Sequence, residues 1–386
     1  MNQSVMNETL LNIHIVLPVG SGGSGGFVKH LTQCVPRWKQ SPRVQSIMLH
    51  APAGVMSDIN DLGVEVKRYS VMKIGPWTAR HDVQLSNSRE AICLVLTSRP
   101  IRRPAIPVVT MVRNVEPIQK AHYRMPPLWR LRLWALRRET LRACRDADRV
   151  VAVSCHVKER LVSYGVPSSG IDVVYHGGSL TTKKALCPRA CSDLHRPFVF
   201  GAGSMVPYRG FEDLIRAVAI VKAQAGIPPA VVIGGSGGGL AKPYERWVRA
   251  LATSLGVEAH IVWAGQLSEP EMTWCFRNAV AVVQTSRAES FCMFQVEALY
   301  SGAVVISCTQ PPMPEILGGA AMYYPVGDAA ELASAIFRSL SMPETETARC
   351  KQAALARASM FTWDKTASQT LDSLEAAREN FVRVRR

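Results

Sequence analysis

The sequence predicts an α/β protein made of two doubly wound parallel-sheet domains, and three observations carry that reading. Short apolar runs alternate with helical stretches along nearly the whole chain, the rhythm of strands and crossover helices that cover a sheet on both faces. The alternation lapses between residues 179 and 196 and then resumes. Each half also carries a glycine turn after or near its first strand, Gly20–Gly26 in one and Gly234-Gly235 in the other. Domains are therefore expected over 1–185 and 193–362.

The 386 residues suit two domains. With 47% hydrophobic and 19% charged residues the composition is globular and not disordered. A net charge of +15 favours an anionic partner: a phosphorylated substrate, an anionic membrane face or nucleic acid. Nucleic acid is set aside, because no recognised nucleic-acid module accompanies the charge. No apolar run is long enough to span a membrane. Met1–Asn12 is polar and does not read as a signal peptide. Ten cysteines are scattered, and the closest pair, Cys187 and Cys191, has no companion pair. Reduced thiols in a cytoplasmic protein are expected, and no zinc site.

The first half opens with Ile13–Pro18, a buried strand in which His14 is expected to be a satisfied core histidine. Gly20–Gly26 then leads into a helix from Phe27. Alone such a run would pass for a linker. Between strand and helix it is a turn whose amides can approach a phosphate closely. It contains Gly20-x-Gly22-x-x-Gly25, the dinucleotide fingerprint, which needs an acid at the end of the second strand to hold a ribose. That strand, Val44–Leu49, ends His50-Ala51-Pro52, and the first acid after it is Asp58 in a loop. A nicotinamide dehydrogenase is therefore weakly supported. Further strands are expected at 64–68, 82–85 and 106–112, with a helix over 90–97. Ligands of such a sheet lie beyond the carboxyl ends of its strands, where the glycine turn and Arg113-Asn114-Val115-Glu116 both fall.

Residues 123–145 are the most basic stretch, with seven arginines against Glu139 and with Trp129, Leu133 and Trp134 interleaved. Arginine and tryptophan on one helix point to anionic lipid headgroups. The plainer reading is a surface helix with core tryptophans and solvated arginines. The half closes with a strand at 150–154, a helix at 156–164 and Ile171–Gly178, which contains His176.

The second half begins with a strand at 198–203, the loop Ser204–Gly210 containing Arg209, and a helix over 211–224. Strands at 230–235, 260–265, 279–283 and 304–307 alternate with helices at 244–255, 269–278 and 329–340. Its centre is Ser286–Gly302. Val296, Leu299 and Tyr300 give a helical apolar face, so a helix is expected from near Cys292 to Gly302. Glu289 then lies in the loop before it and Glu297 about a turn and a half inside. A carboxylate beside helix N–H groups at a strand-to-helix crossing can grip hydroxyls and phosphate together. The plainer alternative makes Glu297 a solvated acid and Glu289 a cap. Two such domains in one chain imply a ligand in the cleft between them.

Taken in order, Glu289-x7-Glu297, Glu297–Gly302 (EALYSG), Pro314–Gly318 (PEILG) and Val326-Gly327-Asp328 resemble the C-terminal half of glycosyltransferase family 4. Ala147–Ser154 and Val173–Gly177 resemble its segments before the hinge, and Phe361-Thr362-Trp363 the start of its last helix. The resemblance covers most of residues 12–370. It implies the GT-B fold, two Rossmann-like domains with the active site in the cleft between them. The N-terminal domain would take the acceptor and the C-terminal domain the nucleotide-sugar, with a final helix over 363–386 crossing back. It also implies hexosyl transfer with retention of configuration.

Position by position, the resemblance gives Glu297 the donor ribose and Glu289 the sugar hydroxyls, with Ser290, Phe291, Cys292 and Met293 beside sugar and phosphate. Arg209 stands where the family has a diphosphate-binding lysine. Fixed positive charge there stabilises a leaving diphosphate, and arginine grips two oxygens where lysine offers a point charge. Arg209 and Glu289 are thus the catalytic candidates. Gly22, Gly23, Gly25 and Gly26 would face the diphosphate from the other domain, and Ser204, Gly234 and Gly235 complete the donor set. Arg113, Asn114, Glu116 and His176 are the acceptor-side candidates. No metal or other cofactor is expected, which fits the lack of an Asp-x-Asp cluster.

Four departures from the family pattern stand out. Ser204 replaces an arginine, and the common Glu-Gly-Phe-Gly run reads Glu289-Ser290-Phe291-Cys292. Arg113 ends a strand where many members place histidine, and the segment between Lys73 and Asp82 is short. The leading expectation is a retaining glycosyltransferase, using a nucleotide-sugar donor and a glycan or lipid-linked acceptor. It would work in the cytoplasm or on the inner membrane face, in polysaccharide or glycolipid assembly. A degenerate subunit that binds a partner transferase is the alternative, motivated by Ser204, Ser290 and Cys292. An epimerase on the same fold suits the Glu-x7-Glu context less well.

Overall fold

In the computed structural model the described residues are 10–18, 25–52, 61–73, 79–81, 83–85, 90–102, 104–119, 127–179, 184–226 and 228–384. They divide into two compact units, one running to Gly177 and resuming from Trp363, the other comprising the described residues from Gly178 to Thr362.

The first unit runs β1 (Leu11–Val16), α1 (Gly25–Gln40), β2 (Val44–Pro52), β3 (Glu65–Tyr69), β4 (Val71–Lys73), β5 (Ala79–His81), β6 (Ala91–Val95), β7 (Val108–Val112), α2 (Pro127–Asp146), β8 (Arg149–Ala152), α3 (Cys155–Val162) and β9 (Ile171–Val173). Seven strands form a parallel sheet in the order β3-β2-β1-β6-β7-β8-β9, while β4 and β5 pair antiparallel beside it. The stretch expected as a helix over 90–97 is instead β6, and the reason is its place. It lies between β1 and β7 with all five residues buried, and a strand covered on both faces is apolar throughout and shows no period of two. Val83–Leu85 form no strand, and Asp82 lies outside the described residues.

The helix Trp363–Val384 belongs to this unit. Trp363, Leu371, Leu374 and Ala377 on it are buried. Trp38 Nε1 donates to Ala367 O at 3.1 Å, and Thr366 Oγ1 to Tyr175 O at 2.8 Å. Arg43 pairs with Asp372 at 2.8 Å and with Glu375. A Cβ on Gly177 would collide with the backbone of Trp363.

The second unit runs β10 (Phe198–Ala202), α4 (Phe211–Ala225), β11 (Ala230–Gly234), α5 (Lys242–Ser254), β12 (Ile261–Gly265), α6 (Glu269–Asn278), β13 (Ala281–Gln284), α7 (Met293–Tyr300), β14 (Val305–Cys308), α8 (Met313–Leu317), β15 (Ala321–Tyr324), α9 (Ala329–Leu340) and α10 (Glu344–Ala358). Its sheet is parallel, in the order β12-β11-β10-β13-β14-β15. Capping explains several starts. Ser268 and Glu271 close a reciprocal box at α6, and the Asp328 carboxylate accepts from Ala330 and Glu331 N–H at α9. Two elements have no counterpart among the sequence expectations: β15, of which only Tyr324 is buried, and α10, which buries only Ala354 and Ala358. Among the described residues no helix is long and apolar enough to cross a membrane.

Candidate active site

In the second sheet the strand order reverses between β10 and β13, and a crevice opens beyond the carboxyl ends of strands at such a reversal. Two loops leave that point. One runs from β10 through Arg209 to α4, and the other from β13 through Glu289 to α7. They are bound to each other. Thr285 Oγ1 donates to Arg209 O at 2.6 Å, and Arg287 N–H to Tyr208 O at 2.7 Å. Gly210, at φ +65°, sits between them, and a Cβ there would lie 2.5 Å from Thr285 O.

A buried ionic cluster holds the second loop. The Arg287 guanidinium, 8% exposed, reaches Glu212 at 2.7 Å and Asp213 at 2.7 and 2.8 Å, both in the first turn of α4. Tyr244 donates its hydroxyl to the other Glu212 oxygen at 2.5 Å and accepts from Phe211 N–H at 3.0 Å. Burial pushes the Asp213 carboxyl up to about 6 against the pull of Arg287.

On this support the two catalytic candidates meet. Arg209 Nη1 bonds the Glu289 carboxylate and also donates to Ser286 Oγ at 3.2 Å. Gln284 Nε2 donates to the same Glu289 oxygen at 3.0 Å and lies 2.8 Å from Cys292 Sγ. Glu289 is thus oriented from two sides. Cys292 caps α7 in the left-handed region at φ +70°, the one non-glycine residue with positive φ among the described residues. Its burial, and then the nearby Glu289 charge, push the thiol well above the ordinary value, so it stays protonated. Glu297 lies half-buried on α7, in its second turn. Phe291 is buried edge-on against Phe361, with ring centres 5.5 Å apart. Ser290 and Met293 are half-buried and Ser204 is exposed.

Gly234 and Gly235 serve backbone approach. Gly203 N–H donates to Gly234 O at 3.0 Å and Gly235 N–H to Gly265 O at 2.5 Å. Gly235, at φ +112°, meets Gly203 O where a Cβ would stand, so no other residue fits there.

In the first unit, Gly22 and Gly23 lie outside the described residues, while Gly25 and Gly26 start α1. Arg113, just past β7, donates to Gly26 O at 2.6 Å and faces His176 Nε2 at 3.4 Å. Asn114 and Glu116 have local tasks. The Asn114 side chain accepts from Glu116 N–H at 3.0 Å, and Glu116 Oε1 accepts from Trp129 Nε1 at 2.9 Å.

The description "Glycosyl transferases group 1" matches residues 191–357, and "Glycosyltransferase Family 4" matches residues 67–180. The chain belongs to the family 4 glycosyltransferases. D-inositol 3-phosphate glycosyltransferases of Streptomyces avermitilis and Streptomyces bingchenggensis are 27% and 30% identical to it, over 60% and 62% of this chain. The chain matches 52% and 55% of those relatives, so it spans about half the length of the curated relatives it matches. Among solved structures, Anabaena HepE in complex with UDP and glucose has TM-score 0.72 at 19% identity, covering 95% of this chain and 99% of that one. The lipopolysaccharide outer core galactosyltransferase WaaB has TM-score 0.64 at 14% identity, covering 94% and 98%. These likenesses establish a GT-B fold of two parallel-sheet halves for this family 4 chain.

Gln284, Arg287, Glu212, Asp213 and Tyr244 carry no decisive sequence signal of their part in this site. Arg287 bonds carboxylates 74 and 75 positions away, a link that no local pattern carries. The one available signal was the acid pair directly after Arg209-Gly210, and acids in a helix's first turn are ordinarily explained by its dipole.

Proposed function

We propose that the chain transfers a hexosyl group from a nucleoside diphosphate sugar to a hydroxyl of a glycan or lipid-linked acceptor, with retention at the anomeric carbon and no bound metal. The observation that supports this reading is Arg209 paired with Glu289 at the strand-order reversal of the second sheet, in a chain of this family. Arginine carries five N–H donors in a planar fork. A dianionic diphosphate competes for that fork and leaves Glu289 to accept hydrogen bonds from sugar hydroxyls. As the sugar–phosphate bond breaks, charge gathers on the departing diphosphate, where Arg209 stabilises it. Glu297 takes the ribose. The relatives' names and HepE's complex with UDP and glucose favour a nucleotide-sugar donor.

Titrating UDP, GDP and their glucose conjugates into the full chain tests this. One nucleoside diphosphate is expected to bind, Glu297→Ala to weaken that binding, and Arg209→Ala to lower turnover by about 10²–10³-fold. A chain that binds none of them would favour the alternative, a partner-binding subunit, which Ser204, Ser290 and Cys292 motivate.

We assign the outer face of α2 to an anionic membrane surface on the cytoplasmic side. Leu128, Leu131 and Trp134 are each about half exposed, among exposed Arg130, Arg138, Arg142 and Arg145, the make-up of an interfacial helix. Arg132 and Arg137 turn inward, Arg132 to Glu116 at 4.0 Å and Arg137 to Pro117 O at 2.7 Å. Replacing the four exposed arginines by glutamine is expected to abolish co-sedimentation with phosphatidylglycerol vesicles. Unchanged binding would remove this assignment.

A further inference from the structure

We infer that Gln284 is a positioning residue of the proposed transfer: it holds the Glu289 carboxylate in place when the donor's diphosphate draws Arg209 away. This role presupposes the transferase reading and adds to it the group that keeps the sugar-facing acid oriented. One oxygen is shared. The Arg209 guanidinium and the Gln284 amide both donate to Glu289 Oε1, the amide at 3.0 Å. No donor among the described residues reaches Oε2. The carboxylate is therefore held by one edge and presents the other.

The Gln284 amide is fixed at both of its ends. Its oxygen accepts from Thr285 N–H at 3.1 Å and from Ser286 N–H at 3.4 Å. A backbone N–H only donates and a carboxylate only accepts, so the NH2 end must face Glu289. Turned over, the amide would oppose like groups at both ends. Its second N–H meets Cys292 Sγ at 2.8 Å. Burial, and then the Glu289 charge, keep that thiol protonated, so it brings no second negative charge beside the acid. Cys292, one of the residues that motivated a partner-binding subunit, thus supplies the amide's second acceptor. Gln284 is 3% exposed at the last position of β13, and the Tyr324 hydroxyl donates to its carbonyl at 3.2 Å. The anchor stands on the sheet, whereas Arg209 and Glu289 stand on the loops beyond it.

The two donors respond differently to a ligand. Arg209 is charged, and a diphosphate offers it stronger charge-assisted bonds than one carboxylate oxygen does. The amide is neutral and enclosed, and it stays. Glu289 then keeps its bond through Oε1 and turns Oε2 to a sugar hydroxyl. Without Gln284, the departure of Arg209 would free the carboxylate to rotate. A displacement of about 1 Å in a group that aligns the reacting centre costs about 10²-fold in rate.

Steady-state kinetics of the full chain test this, with UDP-glucose and GDP-glucose as donors and water as acceptor, beside titrations of UDP and GDP. Gln284→Met has similar volume and no amide. It is expected to lower kcat about 10–10²-fold, with donor KM and nucleoside diphosphate affinity changed less than about threefold. In a Glu289→Gln background the same change should cost almost nothing further, because it acts through Glu289. Full additivity, or a Gln284→Met protein that melts lower and keeps its kcat, overturns the role and makes Gln284 structural. Ligand-free melts decide separately. In an Arg209→Ala background the melting shifts of Gln284→Met and Glu289→Gln should be non-additive, because the amide still holds the acid. Additive shifts there overturn the anchor whatever the chain binds. Failure to bind any of the four nucleotides, with that non-additivity intact, would sink the transferase reading alone.

Discussion

Replacing Arg287 by methionine should unfold the second unit's candidate site more than any other single change in the loops around it. The side chain is 8% exposed and its partners Glu212 and Asp213 are 11% and 1% exposed. Methionine has similar volume and no charge, so two carboxylates are left buried without their cation. Breaking a buried pair from one side costs about 3–5 kcal/mol, which for a domain of this size corresponds to a melting shift of roughly 10 °C. The loss falls mainly on Asp213. Glu212 keeps the Tyr244 hydroxyl, whereas among the described residues Asp213 keeps only the cation of Arg216, at 3.9 Å. Adding Asp213→Asn to the methionine variant should therefore recover most of the stability. The sign with pH is fixed as well. Asp213 already sits near 6 through burial, and losing Arg287 raises it further. A carboxyl with a raised folded pKa stabilises the fold below that pKa and ceases to above it. The deficit should be largest at pH 8 and shrink toward pH 5. Urea melts at both pH values decide the matter. A loss under about 1 kcal/mol, or no rescue by Asp213→Asn, refutes the cluster as the support of the Arg209–Glu289 pair.

Two further outcomes follow from the geometry. Cys292→Gly should be about 1 kcal/mol more stable than Cys292→Ala by urea melts, since both lose the thiol and only alanine bears the left-handed backbone penalty; the reverse order would mean the backbone relaxes. Burial holds His50 and His81 at about 4 in the folded chain, so unfolded histidine takes up protons first. Stability should be lost as pH falls from about 6.5 toward 4, by roughly 3 kcal/mol per histidine, and the double glutamine variant should flatten that slope.

How much of this was legible beforehand depends on the range of each interaction. Glu289 in a loop, Glu297 in a helix and Gly302 at that helix's end were readable, because caps and apolar faces are local signals and Gly302 does sit at φ +66°. The helix expected over 90–97 failed for a different reason. Ala91–Val95 owes its state to the strands on either side, and a short buried run carries no period of its own. The Arg287 cluster failed on distance along the chain. Likewise Arg113 could be noted as unusual in sequence, but its bonds to Gly26 O and His176 are visible only with its neighbours in place.

The membership of the helix Trp363–Val384 bears on how the chain assembles. The first unit's core holds Trp38 against Ala367 O and places Trp363 where Gly177 leaves room. A ribosome releases the chain from its N-terminal end, so the sheet's own strands emerge long before the helix that completes their cover. During that interval the second unit, contiguous in sequence, can fold while the first waits with an apolar flank open to solvent. The first unit's cover is thus complete only once the last residues of the chain are made, and until then its apolar flank is the part open to wrong association.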